Sequence, residues 1–343
     1  LLAFLMTNVV TGQTAPLAMR SAADSDGGAG ASSPLLYGVA DLSSQAQRAP
    51  EEKSPPEQVR RQWAQAAVVR TMAVLAHLAL VIGIALIGYR HFDNVHTGVA
   101  MATLYLVLPY TAQTTPRVDH VVPAALLVWA VYSYRRPELA GILIGLAAGL
   151  IGYPLFLLPL WCGFYWRRGL IRFAAGTVAG LVLLVALLFL FVLASKMFGW
   201  SDAGPFGDRL RQLFGWATPW QARADGFWQD HGQAFRIPVI AAFLVLCGSM
   251  ALWPAQKNLG TLLSCSAAVM LGVQFWHPHQ GGIYMAWYLP LLVLTIFRPN
   301  LEDRMAVTAV QDPWLPRQSA GWSSRPIREW IPRRREGRAA RRK

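Results

Sequence analysis

The chain has 343 residues, 54% of them hydrophobic and only 14% charged, with a formal net charge of +13. A soluble domain carries about 25% charge, so the polar residues here are too few to clothe a globule in water, and composition indicates an all-α protein embedded in lipid. The positive excess is not a nucleic-acid footprint, because residues Arg298 to Lys343 alone hold 12 Lys or Arg against 5 Asp or Glu beside an apolar segment, the pattern of a cytoplasmic tail held by anionic lipid headgroups.

Taken in order, residues 1–10, LLAFLMTNVV, read as the last turns of a hydrophobic helix whose start precedes Leu1. Residues 11–67 are rich in Ala, Ser, Pro and Gly and keep no period for long. They read as an extracytoplasmic hydrophilic loop, partly disordered. Apolar segments then follow at 68–89, 95–112 and 121–134. Two short ones, 139–152 and 153–165, are split by Gly152-Tyr153-Pro154. The run at 173–194 is the clearest spanning helix, and 237–253, 259–276 and 283–297 complete the set. With the first segment this predicts a polytopic transmembrane bundle of about ten helices over 68–297, an outer loop at 195–236, and a basic tail at 298–343.

Orientation follows from the positive-inside rule. Arg135-Arg136, Arg167-Arg168 with Arg172, Lys257 and the tail are expected on the cytoplasmic side. Arg136 and Arg167 share a side only if 139–165 is a hairpin of two short helices. These halves, about 14 residues each, are short for full spans and are expected to be tilted or re-entrant. Gly141, Gly145, Ala148 and Gly149 allow close helix contact in that region. Arg60, Arg61 and Arg70 fall on the outer side, against the rule, which long loops obey weakly.

Cys162, Cys247 and Cys265 all lie in apolar stretches and read as small buried hydrophobes. No nucleotide-binding glycine loop, Walker motif or nucleophile elbow is present. His277-Pro278-His279 has no second ligand pair, so no metal site is expected, and no cofactor. His77 lies mid-helix, where a neutral histidine satisfied by a neighbouring helix is the first reading. Polar candidates gather on the outer side: Asp24, Asp26 and Asp41, then Gln113, Arg117, Asp119 and His120, then Asp202, Asp208, Asp225 and Asp230, and last His277, His279 and Gln280. Taken singly, each reads first as a solvated loop residue. Trp200, Trp216, Trp220 and Trp228 read as interfacial anchors. Phe206, Leu210, Leu213 and Phe214 are spaced like one face of a short interfacial helix.

From Tyr105 to Gly169 the chain resembles the GT-C glycosyltransferases, above all their polyprenyl-phosphate-mannose-dependent mannosyltransferase branch. Ala140-Gly141, Gly145-Leu146-Ala147, Pro154, Leu158-Pro159 and Arg167-Arg168 match that family's pattern in order and spacing. Gly152 stands where the family has a lysine. Tyr288 and Pro290 fall where its last helix has them, so the likeness covers about residues 95–300. It implies a multi-pass protein of the cell membrane, as in a bacterial inner membrane, that moves a mannose-type hexose from a polyprenyl-phosphate donor to an acceptor on the extracytoplasmic face. The resemblance further implies Asp24, Asp26 or Asp41 as the base. Arg117, Asp119, His120, His277, His279 and Gln280 become donor- or acceptor-binding candidates. A catalytically inactive scaffold of the same fold is the second reading, and a lipid or solute transporter the third. A transporter is expected to show internal repeats and midplane charges, and neither is found.

Overall fold

A computed structural model of the chain describes residues 56–114, 118–166, 168–198, 228, 233–253, 257–277 and 285–298. All belong to one unit, Leu1–Val310. In chain order the helices are α1 (Pro56–His91), α2 (Val95–Val107), α3 (Pro109–Thr114), α4 (Val118–Tyr132), α5 (Pro137–Ile151), α6 (Leu158–Phe164), α7 (Leu170–Phe198), α8 (Arg236–Leu252), α9 (Leu259–Trp276) and α10 (Leu289–Ile296). Short 3-10 turns precede α6, α8 and α10. No β-strand occurs among the described residues.

Within α1, α7 and α9, the segments Thr71–His91, Leu170–Leu190 and Leu259–Trp276 are long and apolar enough to cross a bilayer. α7 exposes Val178, Val182, Leu187 and Leu190 on one side while Leu184 and Leu188 are buried on the other. A helix apolar all round belongs in a core or in lipid.

Two expected boundaries move. The loop expected over 11–67 ends at Pro56, where α1 begins. Proline at a first helical position presets φ, and the Glu, Gln, Arg and Ala that follow are strong helix formers, so the helix outruns its apolar segment. The loop expected over 195–236 is also shortened, since α7 runs on to Phe198 and helical structure resumes at Gln233. The segments expected at 1–10 and 298–343 lie outside the described residues, Arg298 excepted.

Local chemistry sets the other ends. Leu108 precedes Pro109 and takes an extended ψ of 128°, which stops α2, as a residue before proline is pushed out of the α region. Asn94 caps α2 by accepting from the Thr97 N–H at 3.1 Å, and Asn258 caps α9 by accepting from the Thr261 N–H at 2.7 Å.

The hairpin demanded by the arginine pairs is present. The Tyr165 hydroxyl donates to the Tyr134 carbonyl at 2.6 Å, so the chain leaves one end in α5, turns at Gly152, and returns in α6 to where it started. α5 and α7 run in the same direction, with Glu138 paired to Arg172 at 3.6 Å and Gly149 beside Leu184 farther along. Lys257 lies at this end too. Its ammonium donates to the Ala251 carbonyl at 2.8 Å, and burial pulls it below the ordinary lysine range. Arg298 reaches Ser264 Oγ at 2.8 Å, in the second turn of α9. Arg135, Arg136, Arg168, Arg172, Lys257 and Arg298 therefore share one end of the bundle, called here the arginine end.

The hairpin is not a half-depth loop. The ring of Tyr153, at its tip, lies 5.2 Å from that of His277, which closes α9 at the far end. The glycines of α5 serve a different partner from the other half of the hairpin. A Cβ on Gly141 would strike the Phe173 carbonyl oxygen, and one on Gly145 the Thr177 carbonyl oxygen. Gly176 and Gly180 of α7 stand equally close to the Glu138 and Ile142 carbonyls. Both helices present small residues at every fourth position, the spacing that lets two backbones touch.

Candidate functional site

The rings at the end opposite the arginines come from four separated segments. His120 is the third residue of α4 and is buried. Its ring lies 5.6 Å from that of Trp287, in the turn before α10. His277 follows α9 directly, with φ −57° and ψ 134°. Pro278 comes next in sequence and enforces that extended conformation, so the helix stops there and turns the imidazole inward, where it is 2% exposed. Tyr153 lies between them, with ring centres 5.2 Å from His277 and 5.1 Å from Trp287. Trp276 closes the cluster at 5.7 Å from Tyr153.

A cation stands among these rings. Arg236, the first residue of α8, is 2% exposed, and its Nη2 donates to the Trp276 carbonyl at 3.0 Å. That carbonyl belongs to the C-terminal turn of α9, where helix oxygens lack intrahelical donors and carry partial negative charge. The guanidinium thus ties the start of α8 to the end of α9 and brings a positive charge within electrostatic reach of Tyr153. Two imidazoles, a guanidinium and a phenol in one buried patch suit the chemistry of an anionic oxygen. Arg neutralises it at any ordinary pH, and an imidazole can pass a proton.

Several sequence-based expectations change here. His120 and His277 are brought together, but neither is a solvated loop residue: both are buried, because α4 starts at Val118, ahead of the expected 121, and α9 carries His277 at its end. Trp228 is not an interfacial anchor. It is 7% exposed, and its indole N–H donates to the Phe275 carbonyl at 3.2 Å. His77 is buried beside Tyr105, whose hydroxyl lies 3.4 Å from Nδ1. Asp119 lies in the first turn of α4. Asp24, Asp26, Asp41, Arg117, His279 and Gln280 lie outside the described residues, as does the expected interfacial helix around Phe206.

Arg236, Tyr153 and Trp287 were not singled out from the sequence. Arg236 left a signal, since a basic residue at the end of an apolar run expected to face outward goes against the positive-inside rule and asks for a local reason. Tyr153 and Trp287 left none, because their neighbours come from distant parts of the chain. No group of three or more His, Cys, Asp or Glu suited to a metal occurs among the described residues.

No family model matches the chain, and no curated protein or solved structure proved similar to it. The class is therefore set by the chain's own features. Among the described residues it is helical, with three helices long and apolar enough to span a membrane. Basic residues collect at one end, and a buried histidine–arginine–aromatic cluster forms the other.

Proposed function

We propose that the protein is a multi-pass membrane glycosyltransferase of GT-C type, with its histidine end on the extracytoplasmic side, moving a mannose-type hexose from a polyprenyl-phosphate donor. The observation that supports this best is the convergence of His120, His277 and Arg236 at the end opposite the arginines. In the reaction an acceptor hydroxyl attacks the anomeric carbon and the bond from that carbon to the phosphate oxygen breaks. The hydroxyl proton goes to a carboxylate, for which Asp24, Asp26 and Asp41 are the candidates, and the sugar-free polyprenyl phosphate leaves. Charge grows on the phosphate as it departs, and in this reading Arg236 and the two imidazoles offset it.

The test is transfer of labelled hexose from polyprenyl-phosphate hexose in proteoliposomes of the purified chain. Asp24→Ala, Asp26→Ala, Asp41→Ala and Asp119→Ala, made singly, include at least one that abolishes transfer, and His277→Ala lowers it by about a hundredfold, the usual effect of removing one charge-stabilising donor. Full transfer in the Asp24, Asp26 and Asp41 variants overturns the assignment of the base. Absence of transfer by the unaltered chain with any polyprenyl-phosphate sugar overturns the enzyme reading and leaves the scaffold.

A further inference from the structure

At the arginine end two guanidiniums stand on an aromatic platform. Arg90 is in the last turn of α1, and Arg135 follows α4 by three residues; both are exposed. The Arg90 guanidinium carbon lies 5.6 Å from the centre of the Tyr132 ring, and its Nη1 donates to the Tyr132 hydroxyl at 3.1 Å. Arg135 repeats the arrangement on Tyr134, at 5.7 Å from the ring centre, with Nε donating to the hydroxyl at 3.2 Å.

The tyrosines are themselves held. The buried His91 ring packs against both, at 5.6 Å and 5.0 Å between centres, and its Nε2 bonds the Tyr132 carbonyl at 2.9 Å. The Trp129 ring meets Tyr132 edge-on. Among the described residues neither arginine pairs with a carboxylate, whereas Arg172 at the same end pairs with Glu138.

A cation at a helix C-terminus complements the dipole, which explains a positive charge at both places. It does not explain why each planar fork is braced on a ring. Bracing removes rotamer freedom before any ligand arrives, and the remaining N–H groups of a guanidinium match the paired oxygens of a phosphate. Tyr89 and Trp166, 63% and 61% exposed, flank this end as aromatic residues do at headgroup depth. We infer that Arg90 and Arg135 form a binding site for the phosphodiester headgroup of an anionic phospholipid in the leaflet at this end. The inference rests on the membrane reading and is independent of sugar transfer.

The experiment places the full chain in nanodiscs of equal parts phosphatidylcholine and phosphatidylglycerol. The lipids retained on the protein are counted by native mass spectrometry after the disc is released. The unaltered chain retains phosphatidylglycerol in excess, and Arg90→Gln with Arg135→Gln lowers that excess about tenfold, equivalent to about 1.4 kcal/mol. Arg341→Gln with Arg342→Gln, which removes two of the twelve cations over which the tail's hold on headgroups is spread, lowers it by a smaller factor. Tyr132→Phe, which removes only a hydroxyl, lowers it severalfold without altering the thermal melt, so a folding defect is distinguished from a lost site. An equal loss in the tail variant, or no loss in the Arg90/Arg135 variant, overturns the inference. So does displacement of the lipid by millimolar inorganic phosphate, which would make free phosphate the ligand. A chain that does not enter discs at all overturns the membrane reading first.

Discussion

Gly152 makes the reversal between α5 and the hairpin's return with φ 71° and ψ −42°, a region that residues with a Cβ adopt only under strain. The space around it is open, and an added methyl would meet nothing within 4 Å. The cost of Gly152→Ala is therefore one of backbone conformation alone, about 1–3 kcal/mol. Gly248, inside α8 and equally unobstructed, provides the contrast, because alanine there gains about 0.5–1 kcal/mol of helix preference. Thermal unfolding in detergent is expected to show a lower midpoint for Gly152→Ala and an unchanged or higher one for Gly248→Ala. Equal shifts in the same direction would refute the conformational account. A lysine at 152 would meet the same strain. At this scale the sequence was partly legible. His120 and His277 were recognisable as candidates because imidazole chemistry is rare beside apolar runs. Arg236 was passed over because a charge at a segment boundary looks like loop, and only its 2% exposure separates the two cases.

Between elements, the contact of α5 with α7 is the most extensive among the described residues. Lipid offers no hydrophobic drive for one apolar helix to seek another, so such pairs depend on close packing and weak polar contacts. Gly145 faces the Thr177 carbonyl and Gly176 the Glu138 carbonyl, and a side chain at either place meets backbone that has no room to yield. Gly145→Leu or Gly176→Leu is expected to cost about 1–3 kcal/mol or more through overpacking. The check is a drop in the thermal midpoint larger than that of Leu143→Ala, a partly buried position on the same helix. Midpoints unaffected by either leucine would show that α5 and α7 are not in contact. The small-residue spacing in 141–149 was visible in the sequence, as was the short hairpin. Spacing names a face, however, not the helix that covers it, and the covering helix comes from after the hairpin. The early start of α1 was hidden for a related reason. Its first turns are polar, so hydropathy did not register them, while Pro56 and the helix formers after it were enough to build them.

For the whole molecule, the ordering principle is the separation of its two ends. Every link that joins the basic loops is specific: Tyr165 to Tyr134, Arg172 to Glu138, Lys257 to the end of α8, and Arg298 to the start of α9. Charge asymmetry between loops was legible from composition and parity alone, because a hairpin at 139–165 was the only way to keep the arginine pairs together. The cluster at the far end was not legible as a unit, since its rings come from residues 120, 153, 276, 277 and 287 and meet only after folding. The account stands most directly on which side of a membrane each end faces. With Cys162, Cys247 and Cys265 replaced by serine, single cysteines at 43, 135 and 168 are to be treated with a membrane-impermeant thiol reagent on intact cells and again after lysis. Labelling of position 43 in intact cells, with 135 and 168 labelled only after lysis, is the predicted result. Labelling of 135 or 168 from outside intact cells would contradict the orientation and the function built on it.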